Sequence, residues 1–188
     1  MKIVHKGEYG YIAYQKKWTI IRTVIYFAIC MSIFAIGIIT TGSRRNLLTI
    51  VAILGCLPAC KSAVNVIMFM RARGCSSAAY EVLSNLNAKY FCLYDLYMTS
   101  YKTNYAVSNL TIAEKTIICL SEDDKADLNG IEKHIEEHLK QDGYKDMTVK
   151  AYNDVQKYCD RILQLEAMDL KPLKVQDAIM EMLLAISL

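Results

Sequence analysis

The chain has 188 residues, 54% of them apolar, 22% charged and 10% aromatic, and a formal net charge of +3. That balance excludes a disordered tail, a collagen-like repeat and a strongly basic nucleic-acid binder, and the length allows one ordinary domain and a little more. The net charge hides two unlike halves: residues 1–71 hold nine Lys/Arg and one Glu, whereas residues 72–188 hold thirteen Lys/Arg and eighteen Asp/Glu.

In chain order, the first apolar run is Val24–Thr41, VIYFAICMSIFAIGIITT, 18 residues without a charge. As a helix it measures about 27 Å, close to the thickness of a hydrocarbon core. Trp18, Arg22 and Tyr26 flank it as interfacial anchors do. A cleaved signal peptide is disfavoured, because 23 residues precede the run and no A-x-A site follows it. The second run, Asn46–Met70, begins after only Gly42-Ser43-Arg44-Arg45, so the two spans are expected to be antiparallel neighbours. Pro58 and Lys61 interrupt it and leave Leu47–Cys60, about 21 Å of helix, as its uninterrupted part.

Lys61 has two readings. Buried in a bilayer it costs about 2.5–3.5 kcal/mol. Snorkelling to an interface, it makes the rest of the helix an amphipathic stalk. The second reading is preferred, because Asn65 follows one turn later on the same face. Neither span holds an acidic partner for Lys61, which argues against a transporter or pump. Lys2, Lys6, Lys16, Lys17 and Arg22 precede the hairpin, and Arg71 and Arg73 follow it, against Arg44 and Arg45 in the tip. The positive-inside bias therefore places both termini in the cytoplasm and the protein in the cell (plasma) membrane. The domains read as a basic arm and hairpin at 1–73, with spans about 24–41 and 47–70, and a cytoplasmic domain at 74–188.

The seven cysteines, Cys30, Cys56, Cys60, Cys75, Cys92, Cys119 and Cys159, show no C-x-x-C spacing and read as free thiols in a reducing compartment. Cys56 and Cys60 share a helix face and suit a helix–helix contact of small residues.

Ser76–Ala88 has helical apolar spacing and a serine cap. Tyr90–Met98, YFCLYDLYM, is nearly continuous in apolar character, as a buried central strand is, with Asp95 its one charge. Thr99–Asn104 reads as a turn. Tyr105–Ile112 and Thr116–Ser121 form a hairpin around Ala113-Glu114-Lys115. Glu122, Asp123, Asp124 and Asp127 open a helix that runs to about Gln141 and ends at Asp142-Gly143. Asp146–Tyr152 alternates as a half-buried strand. Asn153 or Asp154 caps a helix to about Ala167, Pro172 breaks the chain, and Val175–Ile186 is a last amphipathic helix. The predicted class is α+β: a transmembrane helical hairpin, then a small domain of order α-β-β-β-α-β-α-α with mostly antiparallel strands.

The sharpest motif is His134-Ile135-Glu136-Glu137-His138, an H-x-x-E-H pattern in which two histidines on one helix face can bind zinc. The helical wheel puts His134 and His138 on the flank of the core stripe and Glu137 toward solvent, so a solvated charged face is the preferred reading. Glu122-Asp123-Asp124 lacks the spacing of a calcium loop. Walker, dinucleotide-binding and nucleophile-elbow motifs are absent.

The stretch from Tyr80 to Ser121, with VLSNL followed by KYFCLYDLYMTS and two strands, resembles the opening of the nuclease-related domain of the restriction-endonuclease-like superfamily. Active members of that family carry an Ile-Asp pair on the second strand and E-x-K on the third, which together bind a metal. Here those strands read AVSNLTIA and TIICLSEDD, and Glu114 and Lys115 stand adjacent in the turn. The resemblance thus implies a catalytically inactive copy. The whole arrangement also resembles two-span proteins of Gram-positive gut bacteria, which share a Y-D-L…T-S phrase and a K-x-D…E-x-H-I helix, here Lys125–Asp127 and Glu132–Ile135. That resemblance implies no activity.

The expected function is a membrane-anchored cytoplasmic interaction or regulatory domain. Its partners would be the lipid bilayer and a membrane protein or a second copy, with no nucleic acid and no cofactor. The alternative is a membrane-tethered hydrolase, either a nuclease-like remnant or a zinc enzyme using His134 and His138.

Overall fold

The computed structural model describes residues 3–42, 47–86, 90–100, 103–144, 146–168 and 175–188. The expectations for Arg44, Arg45 and Pro172 lie outside them. The chain folds as two compact units, Ile12–Ala72 and Met1–Tyr11 with Arg73–Leu188. The basic arm, grouped with the hairpin in the sequence reading, therefore packs with the α+β unit.

The hairpin consists of α1 (Tyr11–Thr41) and α2 (Leu47–Arg71). Both are long and apolar enough to cross a membrane, and only 17% of each apolar window is buried, unlike a soluble core helix. Thr19, Thr23, Cys30 and Gly37 are buried on α1, as are Ala52, Ala59 and Ser62 on α2. Such small side chains let two backbones approach closely. Thr23 Oγ1 and Ser62 Oγ hydrogen bond at 2.7 Å, and a Cβ added to Gly55 would lie 3.1 Å from Cys30 Sγ. The helix–helix contact expected of Cys56 and Cys60 is corrected for Cys60, which is exposed; Cys56 is half-buried and interacts with Cys30 of α1. The contact line on α2 runs one position off theirs, through Ala52, Gly55, Ala59 and Ser62. Pro58 lies inside an unbroken α2.

The second unit runs α3 (Ser77–Asn85), β1 (Phe91–Thr99), β2 (Asn104–Ala113), β3 (Thr116–Leu120), α4 (Leu128–Gln141), β4 (Thr148–Tyr152), α5 (Val155–Ala167) and α6 (Gln176–Ile186). This is the α+β order expected. The sheet order is β1-β2-β3-β4, with β3 and β4 parallel and the other pairs antiparallel. Ile131, Ile135 and Leu139 of α4 join Ile179 and Leu183 of α6 in a core with Leu110, Ile117 and Val149. Leu83 of α3 and Tyr158, Ile162 and Leu165 of α5 form a second core with Ile118 and Leu120.

β1 is an edge strand, not the central strand its apolar run suggested. The chain ends cover its free edge. Tyr94 N donates to Gly7 O at 2.8 Å, and Leu188 N donates to Tyr97 O at 2.8 Å. Lys6 Nζ links the two end segments by donating to Ser187 O at 2.7 Å. An edge covered in this way is protected from pairing with another chain, and its residues can be apolar on both faces.

Of the acids after β3, Asp127 opens α4 as expected and the other three do not. α4 starts at Leu128, where Asp127 Oδ1 accepts from Gly130 N at 2.9 Å; Glu122, Asp123 and Asp124 stay in the connection before it. Asp154 caps α5 by accepting from Gln156 N at 2.8 Å. Gly143 closes α4 at φ +90, as a left-handed C-terminal turn requires.

Candidate functional site

A carboxylate in an apolar strand must find donors, because an unpaired buried charge is strongly unfavourable. Asp95 is only 4% exposed. Its Oδ2 accepts from Gly10 N at 2.8 Å and its Oδ1 from Cys75 N at 2.7 Å. One side chain thus binds the segment that leads into α1 and the segment that follows α2. Gly74 makes room for it, since a Cβ there would lie 2.7 Å from Asp95 Oδ1. Asp95 itself is left-handed, at φ +55, and the β1–β2 pairing steps over Asp95 and Ser108. The alternation of faces reverses there, so that Leu93, Leu96 and Met98 all join the first core.

The next residue extends the junction. Ser76 N and Ser76 Oγ donate to Glu122 at 2.9 and 3.1 Å, while Ser76 Oγ caps α3 by accepting from Ala79 N. The Cys75 thiol is pushed up to about 12, first by burial, then by the charges of Glu122 and Asp95. It is therefore a neutral thiol and no nucleophile at neutral pH. Tyr9 stacks on Tyr80, with ring centroids 3.8 Å apart, and both rings meet Tyr94 edge-on. Burial pushes the Tyr94 phenol up to about 12.

Two clefts border this junction. One of ≈ 500 Å³ is lined by Val4, Gly7, Glu8, Tyr9, Tyr80, Cys92 and Tyr94. The other, ≈ 570 Å³, lies beyond the carboxyl ends of the parallel strands β3 and β4 and includes Ser76, Val82, Glu122, Asn153 and Gln156 in its lining. Each offers hydrogen-bonding groups and a carboxylate; in the second the Ser76 hydroxyl donates to Glu122 while capping α3.

His134 and His138 stand together on α4, with ring centroids 4.8 Å apart, and His134 lies 5.4 Å from the Tyr105 ring. His134 Nε2 is shielded from solvent and has no hydrogen-bond partner among the described residues. Burial first, then the His138 charge, lowers the His134 pKa below its ordinary 6.5, against an opposing pull from Glu137. The pair offers at most two ligand groups to a metal. Among the described residues no group of three His, Cys, Asp or Glu is placed to hold a metal ion. Two ion pairs lie on the α4 surface: Lys140 with Glu136 at 3.2 Å, and Lys150 with Glu132 at 3.3 Å. Glu114 occupies the β2–β3 turn at φ +50, and Lys115 pairs with Asp146 at 3.7 Å on the surface.

The structure therefore gathers Asp95 and Glu122 at Cys75-Ser76 and leaves the histidines beside Tyr105. Trp18, Arg22, Lys61, Arg71 and Arg73, expected as membrane anchors, are all exposed. Sequence reasoning missed the backbone donors of Gly10 and Cys75. Asp95, a lone acid in an apolar strand, was the available signal. It also missed a buried network in which Tyr158 Oη donates to Asn109 Oδ1 and shares a 2.9 Å bond with Thr111 Oγ1. No protein-family model, curated protein or solved structure matches the chain.

Proposed function

We propose that this chain is a membrane-anchored cytoplasmic domain that binds a partner at the membrane, either another membrane protein or a second copy of itself. The observation that carries the reading is that two span-length apolar helices stand in one chain with a folded α+β unit, in which one buried carboxylate, Asp95, binds the segments that precede and follow them in sequence. A domain covalently continuous with such an anchor is held at the bilayer, where the effective concentration of a membrane-bound partner is high. The open cleft between α3 and α5, with Val82 about half exposed, is the surface offered. The positive-inside pattern of the arm supports cytoplasmic termini and the plasma membrane.

Photo-crosslinking from position 82 of the full chain in intact cells tests this. The expected result is a discrete adduct that is recovered with membranes. A chain that washes off membranes with carbonate, or gives only monomer from position 82 and from other surface positions, overturns it. The paired rings of His134 and His138 support a second reading, a zinc-dependent hydrolase. One equivalent of zinc retained by the purified full chain and lost in His134→Ala would favour that reading.

A further inference from the structure

The unit Ile12–Ala72 holds no Asp or Glu, so Arg22 and Lys61 have no carboxylate within it. Both are exposed, and the register of the hairpin fixes where they stand. The Thr23–Ser62 hydrogen bond sets those two residues at one height, and the approach of Gly55 to Cys30 repeats the same antiparallel register seven residues on. Arg22 and Lys61 each precede a bonded residue by one position. Each is therefore turned about 100° from the contact line and displaced about 1.5 Å along its axis. A dyad normal to their common plane relates two antiparallel helices, so equal turns emerge on the same face. The two cations thus share a face, about 3 Å apart in height, on axes about 8–10 Å apart. Trp18 and Tyr26 lie one turn to either side of Arg22, and Asn65 one turn from Lys61.

The same height bounds the apolar runs. The apolar run of α1 begins at Val24, and the uninterrupted part of that of α2 ends at Cys60. Beyond the cations, on the same face, Ile29, Leu54 and Leu57 are exposed. We propose that Arg22 and Lys61 together form one site for the phosphate of an anionic phospholipid, whose acyl chains lie along Ile29, Leu54 and Leu57. Trp18 and Tyr26 flank it at the headgroup level, and Lys61 is interfacial rather than buried. This site rests on the membrane reading above.

Trp18 is the single tryptophan of the chain and reports on this face. The full chain is reconstituted in phosphatidylcholine vesicles containing brominated phosphatidylglycerol or brominated phosphatidylcholine. Brominated phosphatidylglycerol is expected to half-quench Trp18 at a roughly tenfold lower mole fraction, as two cations near an anionic headgroup imply. Arg22→Gln/Lys61→Gln abolishes that preference. Lys17→Gln, turned about 120° to the opposite face, keeps it. Added inorganic phosphate leaves it unchanged. Equal quenching by the two lipids, a preference that survives the double substitution, or displacement by free phosphate overturns the site and leaves the membrane anchor standing. If neither lipid quenches Trp18 and the chain stays in solution without lipid, the anchor itself falls.

Discussion

Replacing Asp95 by asparagine keeps the side-chain size and a residue type that tolerates a left-handed backbone. It exchanges one acceptor oxygen for an NH₂ group. Asp95 accepts from two amides, Gly10 N at 2.8 Å and Cys75 N at 2.7 Å, so in the variant one of them faces a donor. A hydrogen bond to a charged group contributes about 1.5–3 kcal/mol. At 1.36 kcal/mol per factor of ten, loss of one bond should open that segment roughly ten- to hundredfold more often. Hydrogen exchange of the full chain in micelles reads this directly, in peptides covering residues 3–11 and 73–79. Faster exchange is expected in one or both, with α4 unchanged. Asp95→Ala loses both acceptors and keeps a Cβ at φ +55, which costs about 1–2 kcal/mol of backbone strain relative to glycine. Asp95→Gly loses the same acceptors without that strain, so it should be the more stable of the two. Unchanged protection of both segments in a folded Asp95→Asn protein would refute the joint. An Asp95→Gly protein no more stable than Asp95→Ala would refute the strain.

The remaining tests probe other sites. At pH 8 the Cys75 thiol, held at about 12, should react with iodoacetamide on the order of hundredfold more slowly than an ordinary thiol, and Glu122→Gln should speed it. Mass spectrometry of the Cys75 peptide measures this; fast alkylation in the folded chain would contradict the assignment. His134 has a folded pKa below its ordinary 6.5, so the unfolded state binds the proton more readily. Its contribution to stability is then complete above pH 6.5 and lost as pH falls through the folded pKa. The thermal midpoint should drop on acidification below pH 6.5, and His134→Gln should flatten that slope. Tyr158→Phe removes the hydroxyl shared by Asn109 and Thr111 in a fully buried site and should destabilise the fold by about 1–3 kcal/mol, read by denaturant unfolding. A neutral Tyr158→Phe would show that the network adds no net stability.

The element order was legible because each helix and strand carries its own period, and local caps such as Asp127 and Asp154 mark the starts. The position of β1 in the sheet was not. A continuous apolar strand usually means cover from neighbouring strands on both sides. Here the cover of one edge comes from Gly7 and Leu188, at opposite ends of the sequence, and no local pattern encodes such a contact. Glu122 was misread for the same reason. An acid before a helix is the ordinary sign of favourable dipole interaction, yet Glu122 reaches back across the fold to Ser76. For Asp95 the anomaly was visible but its partners were not, because both are backbone amides, and any residue except proline supplies one. The histidine pair was fully legible, since residues four apart on one helix meet whatever the tertiary fold.

The placement of the arm follows from the hairpin between the two segments that Asp95 binds. Gly10 and Cys75 are 65 residues apart in sequence, and both donate to that carboxylate. Closing a flexible loop of that length is entropically unfavourable, by about 0.6 kcal/mol more for each doubling of length. The intervening chain is not flexible, however. α1 and α2 are antiparallel, pinned by Thr23–Ser62, so the chain returns near its point of departure. Once the hairpin has formed, the arm is held by the short remainders between the helix ends and Asp95. The arm can then complete β1 although the strand it covers is made more than 80 residues later. Gly10 directly precedes α1 and Cys75 follows the end of α2 by four residues, so a closed hairpin shortens the loop that the Asp95 bonds must close. Weakening the Thr23–Ser62 contact, as in Ser62→Leu, should therefore speed exchange at Gly10 and Cys75 although neither residue touches Ser62. Exchange there that ignores Ser62→Leu would show that Asp95 binds the two segments independently of the hairpin.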